Sequence, residues 1–129
     1  MREIKFRGRT EIEWVYGSLV VDTTPDKKTF IIDYAVSDTN TYTWSEVEPE
    51  TVGQTIGLSD KNKKEIYEGD VIKTSWEGNK EVVFRKGCFC YQTGGDKYHI
   101  FNEKKVEVIG NIYENKDLLK AELSEGELI

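Results

Sequence analysis

Few side chains in this 129-residue chain are of a type that does chemistry, and their spacing is unfavourable. Its soft metal ligands are Cys88, Cys90 and His99 alone. A zinc centre needs about four such ligands clustered tightly. Cys88 and Cys90 read instead as two small side chains on one strand. Nucleophilic catalysis needs a base, usually a histidine, held by a third group. His99 is the sole histidine, and no Gly-x-Ser-x-Gly pattern accompanies it. Asp60-Lys61-Asn62 opens like a calcium loop. Lys64 and Glu65 then stand where an oxygen ligand and the turn glycine belong, and Val71 where the bidentate glutamate belongs. Glu65, Glu68 and Asp70 fall within six residues, but 24 acids in one chain make such a cluster ordinary. Neither a dinucleotide fingerprint nor a P-loop occurs. No catalytic residue, metal ligand or cofactor site is assigned, and the chain is not expected to be an enzyme.

Two sets of residues suggest binding. Lys5, Arg7 and Arg9 alternate along a first strand, with Trp14 and Tyr16 close by if that strand pairs with the next. Basic and aromatic side chains together on a sheet can hold single-stranded nucleic acid. The reading preferred for this stripe is a charged solvent face or a charged edge that blocks edge-to-edge aggregation. The second set is aromatic: Tyr42, Trp44, Trp76 and Tyr91 are expected to be exposed and to contact a partner.

The elements that would position these groups are short strands. Ile4 and Phe6 alternate with Glu3, Lys5 and Arg7, placing the apolar pair on the inner face. Trp14 to Val21 is rich in β-formers, and Phe30-Ile31-Ile32 and Thr41-Tyr42-Thr43-Trp44 are strand-length. Pro49 ends the strand that contains Val47. Asp60 to Lys64 is a polar turn between two apolar patches, hence a hairpin or tight excursion. At Glu68-Gly69-Asp70 the glycine takes a positive φ and Asp70 can bond its own backbone. Residues 81–84 and 88–91 pair across Arg85-Lys86-Gly87. Gly94-Gly95-Asp96 is a turn, Tyr98 to Phe101 a strand, and Val106 to Tyr113 the last strand. Asn115 caps the one helix expected, Lys116 to about Leu123. Nine or ten strands at this spacing indicate a mainly β sandwich or barrel.

The composition agrees with a small reduced protein. Hydrophobic residues make up 37% and charged residues 33%, so fifteen aromatics must supply much of the core. Two cysteines at i and i+2 read as free thiols, which points to the cytoplasm. No apolar run is long enough to span a membrane, and Met1 to Lys5 shows no signal-peptide pattern. A net charge of −6 argues against broad affinity for a phosphate backbone.

Four stretches together resemble the YopX family of phage and prophage proteins from Gram-positive bacteria. They are Arg2 to Gly8 with Glu13 to Gly17; Thr51 to Leu58 with Asp60 to Asn62; Glu65 to Ile72; and Val108 to Asn115. The resemblance implies a β-rich fold with an SH3-like barrel in the C-terminal part, encoded in a phage or prophage genome within a bacterial host. It implies no activity, cofactor or catalytic residue. The expected organisation is an N-terminal β subdomain over residues 1–52, an SH3-like β-barrel over 53–115, and a short helix with an acidic tail over 116–129. The expected function is a non-enzymatic protein-interaction module with a host or phage partner. The alternative is a small nucleic-acid-binding β-barrel protein. Homo-oligomerisation is compatible with either.

Overall fold

The computed structural model describes residues 3–34, 41–75, 78–93, 97–99 and 105–119. The chain is mainly β, in two antiparallel sheets, and divides into two compact units, Met1–Thr55 and Ile56–Ile129. The expected strand at Ile100 and Phe101, the turn at Gly94 to Asp96, Trp76, and the helix beyond residue 119 lie outside the described residues.

The first unit holds β1 (Phe6–Arg9), β2 (Trp14–Val21), β3 (Thr29–Tyr34), β4 (Tyr42–Glu46), a 3-10 turn at Pro49–Thr51, and the start of β5 (Gly53–Ser59). Its strand order is β4-β3-β2-β1-β5. Pro49 opens the 3-10 turn, as its fixed φ favours. Its inner face includes Thr29, Ile31 and Val47, all buried. Gly8 lies so close to Val47 that an added Cβ would sit 2.8 Å from a valine methyl. The β1–β2 register pairs Arg7 with Tyr16 and Arg9 with Trp14.

The faces expected for the first strand hold only in part: Phe6 is half-buried on the side that Gly8 turns to the buried Val47, but Ile4 and Arg7 depart from the pattern. Ile4 is 61% exposed, whereas Arg7 is 6% exposed. The Arg7 guanidinium carbon sits 4.8 Å from the centroid of the Trp14 ring. A planar, weakly hydrated cation with a long apolar stem accepts such a site, and alternation of polarity alone cannot reveal it.

In the second unit the end of β5 forms a hairpin with β6 (Glu65–Tyr67). A five-stranded sheet follows in the order β10-β9-β8-β7-β11, from β7 (Asp70–Thr74), β8 (Gly78–Arg85), β9 (Cys88–Thr93), β10 (Lys97–His99) and β11 (Glu107–Asn111). Strands β10 and β11 stand at its two ends, so the described strands do not close into a barrel. Ile56, Ile66, Ile72, Val82, Tyr91, Val106 and Val108 pack as its core. Each buried aliphatic side chain stabilises the fold by about 1.5–3 kcal/mol.

The turns follow the local chemistry. Arg85 pairs with Cys88 across Lys86 (φ 53) and Gly87 (φ 81), the two left-handed residues a tight hairpin requires. Gly69 has φ +92, and Asp70 Oδ2 accepts the Tyr67 N–H at 2.8 Å. Residues 117–119 are helical. Asn115 does not cap this helix with its side chain: its Oδ1 accepts the Asn111 N–H at 3.2 Å, while its carbonyl accepts the Leu118 N–H at 3.0 Å.

Candidate functional site

Among the described residues, Asp60, Cys90 and Glu81 are the groups whose surroundings bear on chemistry, and each is held within the fold. Asp60 is buried, and its carboxylate accepts three main-chain N–H groups. Oδ1 takes those of Asn62 and Lys64 and Oδ2 that of Val108, each at 2.8 Å. Burial opposes its charge, but the donors from Val108, Lys64 and Asn62 and the Lys64 charge outweigh that and hold its pKa below the usual value. A carboxylate that accepts three main-chain donors has most of its lone-pair sites occupied by the fold.

Cys88 and Cys90 are free thiols. Burial, reinforced by the neighbouring Cys88, pushes the Cys90 thiol up. A raised thiol pKa leaves little thiolate, the form that attacks or binds metal. Glu81 is also raised, first by burial and then by the nearby Glu68 charge, with Arg85 acting in the opposite sense. Among the described residues no three histidines, cysteines or carboxylates come together as a metal site.

The basic stripe is brought together by the β1–β2 pairing, but it is not an open cationic face. Arg7 is buried against Trp14. Lys5 lies 3.9 Å from Glu3. Arg9 is half-buried and its main-chain N–H donates to Thr51 Oγ1 at 2.8 Å. Tyr16 remains 43% exposed.

Strand β4 is different. Among the described strands it is the last of the first unit's sheet, and it carries Tyr42 at 65% and Trp44 at 60% exposure. Phe30 meets Trp44 edge-on, ring centroids 6.0 Å apart at 70°. Ile32 lies directly opposite Trp44 on β3, and Val20 opposite Phe30 on β2. Alternation therefore places Val20, Phe30, Ile32 and Trp44 on one sheet face, opposite the one that buries Ile31 and Val47.

The hydrogen-bond phase of β4 is also defined. The Val47 N–H donates to the Thr29 carbonyl at 2.9 Å. Antiparallel ladders alternate, so Ser45 and Thr43 also bond β3, while Trp44 and Glu46 turn their main-chain groups away from it. Ser45 to Pro49 line a cleft of about 600 Å³ that they share with Arg9 to Glu13 of the β1–β2 loop.

Of the aromatics expected at the surface, Tyr42 and Trp44 are exposed, and Tyr91 is a correction: at 2% exposure it belongs to the core of the second unit. It pairs with Val82 on β8, and its size and flatness fill the sheet's inner face. The strand edge was not visible in the sequence, because edge position depends on which strands pair.

Comparison with known proteins places this architecture. The family model described as YopX protein matches residues 5–120. The chain belongs to the YopX family. The crystal structure of protein EF1440 from Enterococcus faecalis is similar in fold. It covers 92% of this chain and 99% of that one, at 23% identity and a TM-score of 0.55. Among curated proteins none matches. Several YopX-like stretches have clear structural tasks. Asn111 Oδ1 accepts the N–H groups of Tyr113 and Glu114 at 3.0 and 2.9 Å, and its Nδ2 donates to Glu114 at 3.1 Å. A Cβ on Gly110 would lie 2.5 Å from Asn115 Oδ1.

Proposed function

We propose that this YopX-family chain is a non-enzymatic protein-interaction module that docks a partner through strand β4. One observation carries the reading: an edge strand whose outward side chains include Tyr42 and Trp44, both well over half exposed. Edge strands are normally blunted by lysine, proline or an inward charge, because a bare edge recruits other strands. Strand β4 reads Tyr-Thr-Trp-Ser-Glu, with neither lysine nor proline. Large exposed aromatics are costly to leave in water and are enriched at interface centres.

The family resemblance supports a phage or prophage origin, with a host or phage protein as partner and the host cytoplasm as the setting. It also supports an SH3-like path for the second unit, in keeping with the short antiparallel strands between Asp70 and Asn111. The committed state of Asp60 and the raised pKa of Cys90 favour a role without chemistry.

The test is affinity capture from host and phage-infected lysate with three baits: the unaltered chain, Trp44→Ser and Phe84→Ser. Phe84 is 46% exposed on β8 and serves as a control for general stickiness. A specific protein retained by the unaltered chain and by Phe84→Ser, and lost with Trp44→Ser, supports the reading. Equal capture by all three baits, or no capture, counts against it.

A further inference from the structure

We infer that the occupant of the β4 edge is an extended cationic peptide segment, added as a further antiparallel or parallel strand. This rests on β4 being the docking surface, and it assigns the chemistry of what docks there. Trp44 and Glu46 turn their main-chain donors and acceptors away from β3, which is what strand addition requires. Trp44 supplies an apolar anchor beside Phe30.

Charge then selects the partner. The cleft beside the end of β4 is lined by Glu11, Glu13, Glu46 and Glu48, with Arg9 as the one cation among its lining residues. All four glutamates are exposed. A strand laid along this edge brings its own side chains against that carboxylate set. Lysines or arginines at alternate positions would meet them, and opposite charges directly across a strand pair stabilise while like charges do the reverse.

The same feature argues against a second copy of this chain. Edge-to-edge pairing of two β4 strands would put two copies of this acidic rim into one interface, with no lysine or arginine on either β4 to offset them. Like charges so placed suppress self-association and leave the edge open to a partner of opposite sign.

The experiment selects from a display library of random linear ten-residue peptides on the full chain, then measures the selected peptides by fluorescence anisotropy. The expected winners carry lysine or arginine at alternate positions between apolar residues. Their affinity falls at least tenfold with Trp44→Pro and at least tenfold with the double variant Glu46→Lys/Glu48→Lys. Hydrogen exchange on the complex should slow at the Trp44 and Glu46 amides. Proline at 44 leaves the donors that face β3 untouched, since Thr43, Ser45 and Val47 supply those, and thermal unfolding of the variant checks that it stays folded.

Winners that are neutral or acidic yet lost with Trp44→Pro overturn the charge assignment and leave β4 docking intact. Winners indifferent to Trp44→Pro, or no winners, overturn strand addition itself. A concentration-dependent dimer in sedimentation that Trp44→Pro abolishes would instead make a second copy the occupant and overturn the inference.

Discussion

Asp60 Oδ2 accepts the main-chain N–H of Val108 at 2.8 Å, across 48 residues of sequence. One carboxylate thereby closes the β5–β6 turn through Oδ1 and ties it to β11 through Oδ2. The Asp-Lys-Asn start of this turn, which opens like a cation loop, is accounted for by backbone hydrogen bonding.

Asp60→Asn should destabilise the protein by about 2–4 kcal/mol, since it replaces an acceptor-only group with one that presents N–H groups to N–H donors. The Asp60 pKa is lowered in the fold, so its contribution is fully present above the unfolded value near 4 and is lost as pH falls through the folded value. Urea unfolding of both proteins between pH 7 and pH 3 should therefore show the gap between them narrowing at the acid end.

Gly69→Ala should cost about 1–3 kcal/mol, because alanine is strained at φ +92 and its Cβ would press on the Tyr113 ring at 3.1 Å. Thermal unfolding measures this. A change of a few tenths of a kcal/mol would show that the turn relaxes easily.

Trp44→Ser should leave stability within about 1 kcal/mol of the unaltered chain, as expected for an exposed side chain outside the core. Ile66→Ala, at a fully buried position, should cost about 2–5 kcal/mol. The contrast separates a surface kept for contact from one kept for folding.

Single- and double-stranded DNA and RNA should show no salt-dependent binding in titrations from low ionic strength upward, because Arg7 is buried against Trp14 and the chain carries a net charge of −6. Arg7→Ala should lower stability, with the exposed indole face losing its cover. Clear binding that Arg7→Ala and Arg9→Ala abolish would restore the nucleic-acid alternative.

Much of the fold was legible in the sequence. The run of β-formers between Trp14 and Val21, the Lys86-Gly87 turn and the polar Asp60–Lys64 turn each specify local structure through nearest neighbours. What failed depends on tertiary placement. Arg7 alternates like a solvent residue and is buried, with its guanidinium against the Trp14 ring; Tyr91 looks like a surface aromatic and fills a sheet face. Asn115 carries a cap-forming side chain, but Gly110 leaves room for it to turn back to Asn111. On β4, the exposure of Tyr42 and Trp44 could be anticipated from their types, whereas the edge position of the strand and its hydrogen-bond phase emerge only once β3 has chosen its partner.

The most direct measurement is photo-crosslinking in host cells, with a photoreactive phenylalanine at position 44 and, in a separate protein, at position 84. A discrete adduct at 44 that disappears when Glu46 and Glu48 become lysine, with none at 84, is the predicted result. Adducts at 84 alone, or an adduct at 44 unaffected by the charge reversal, would contradict docking of a cationic strand on β4.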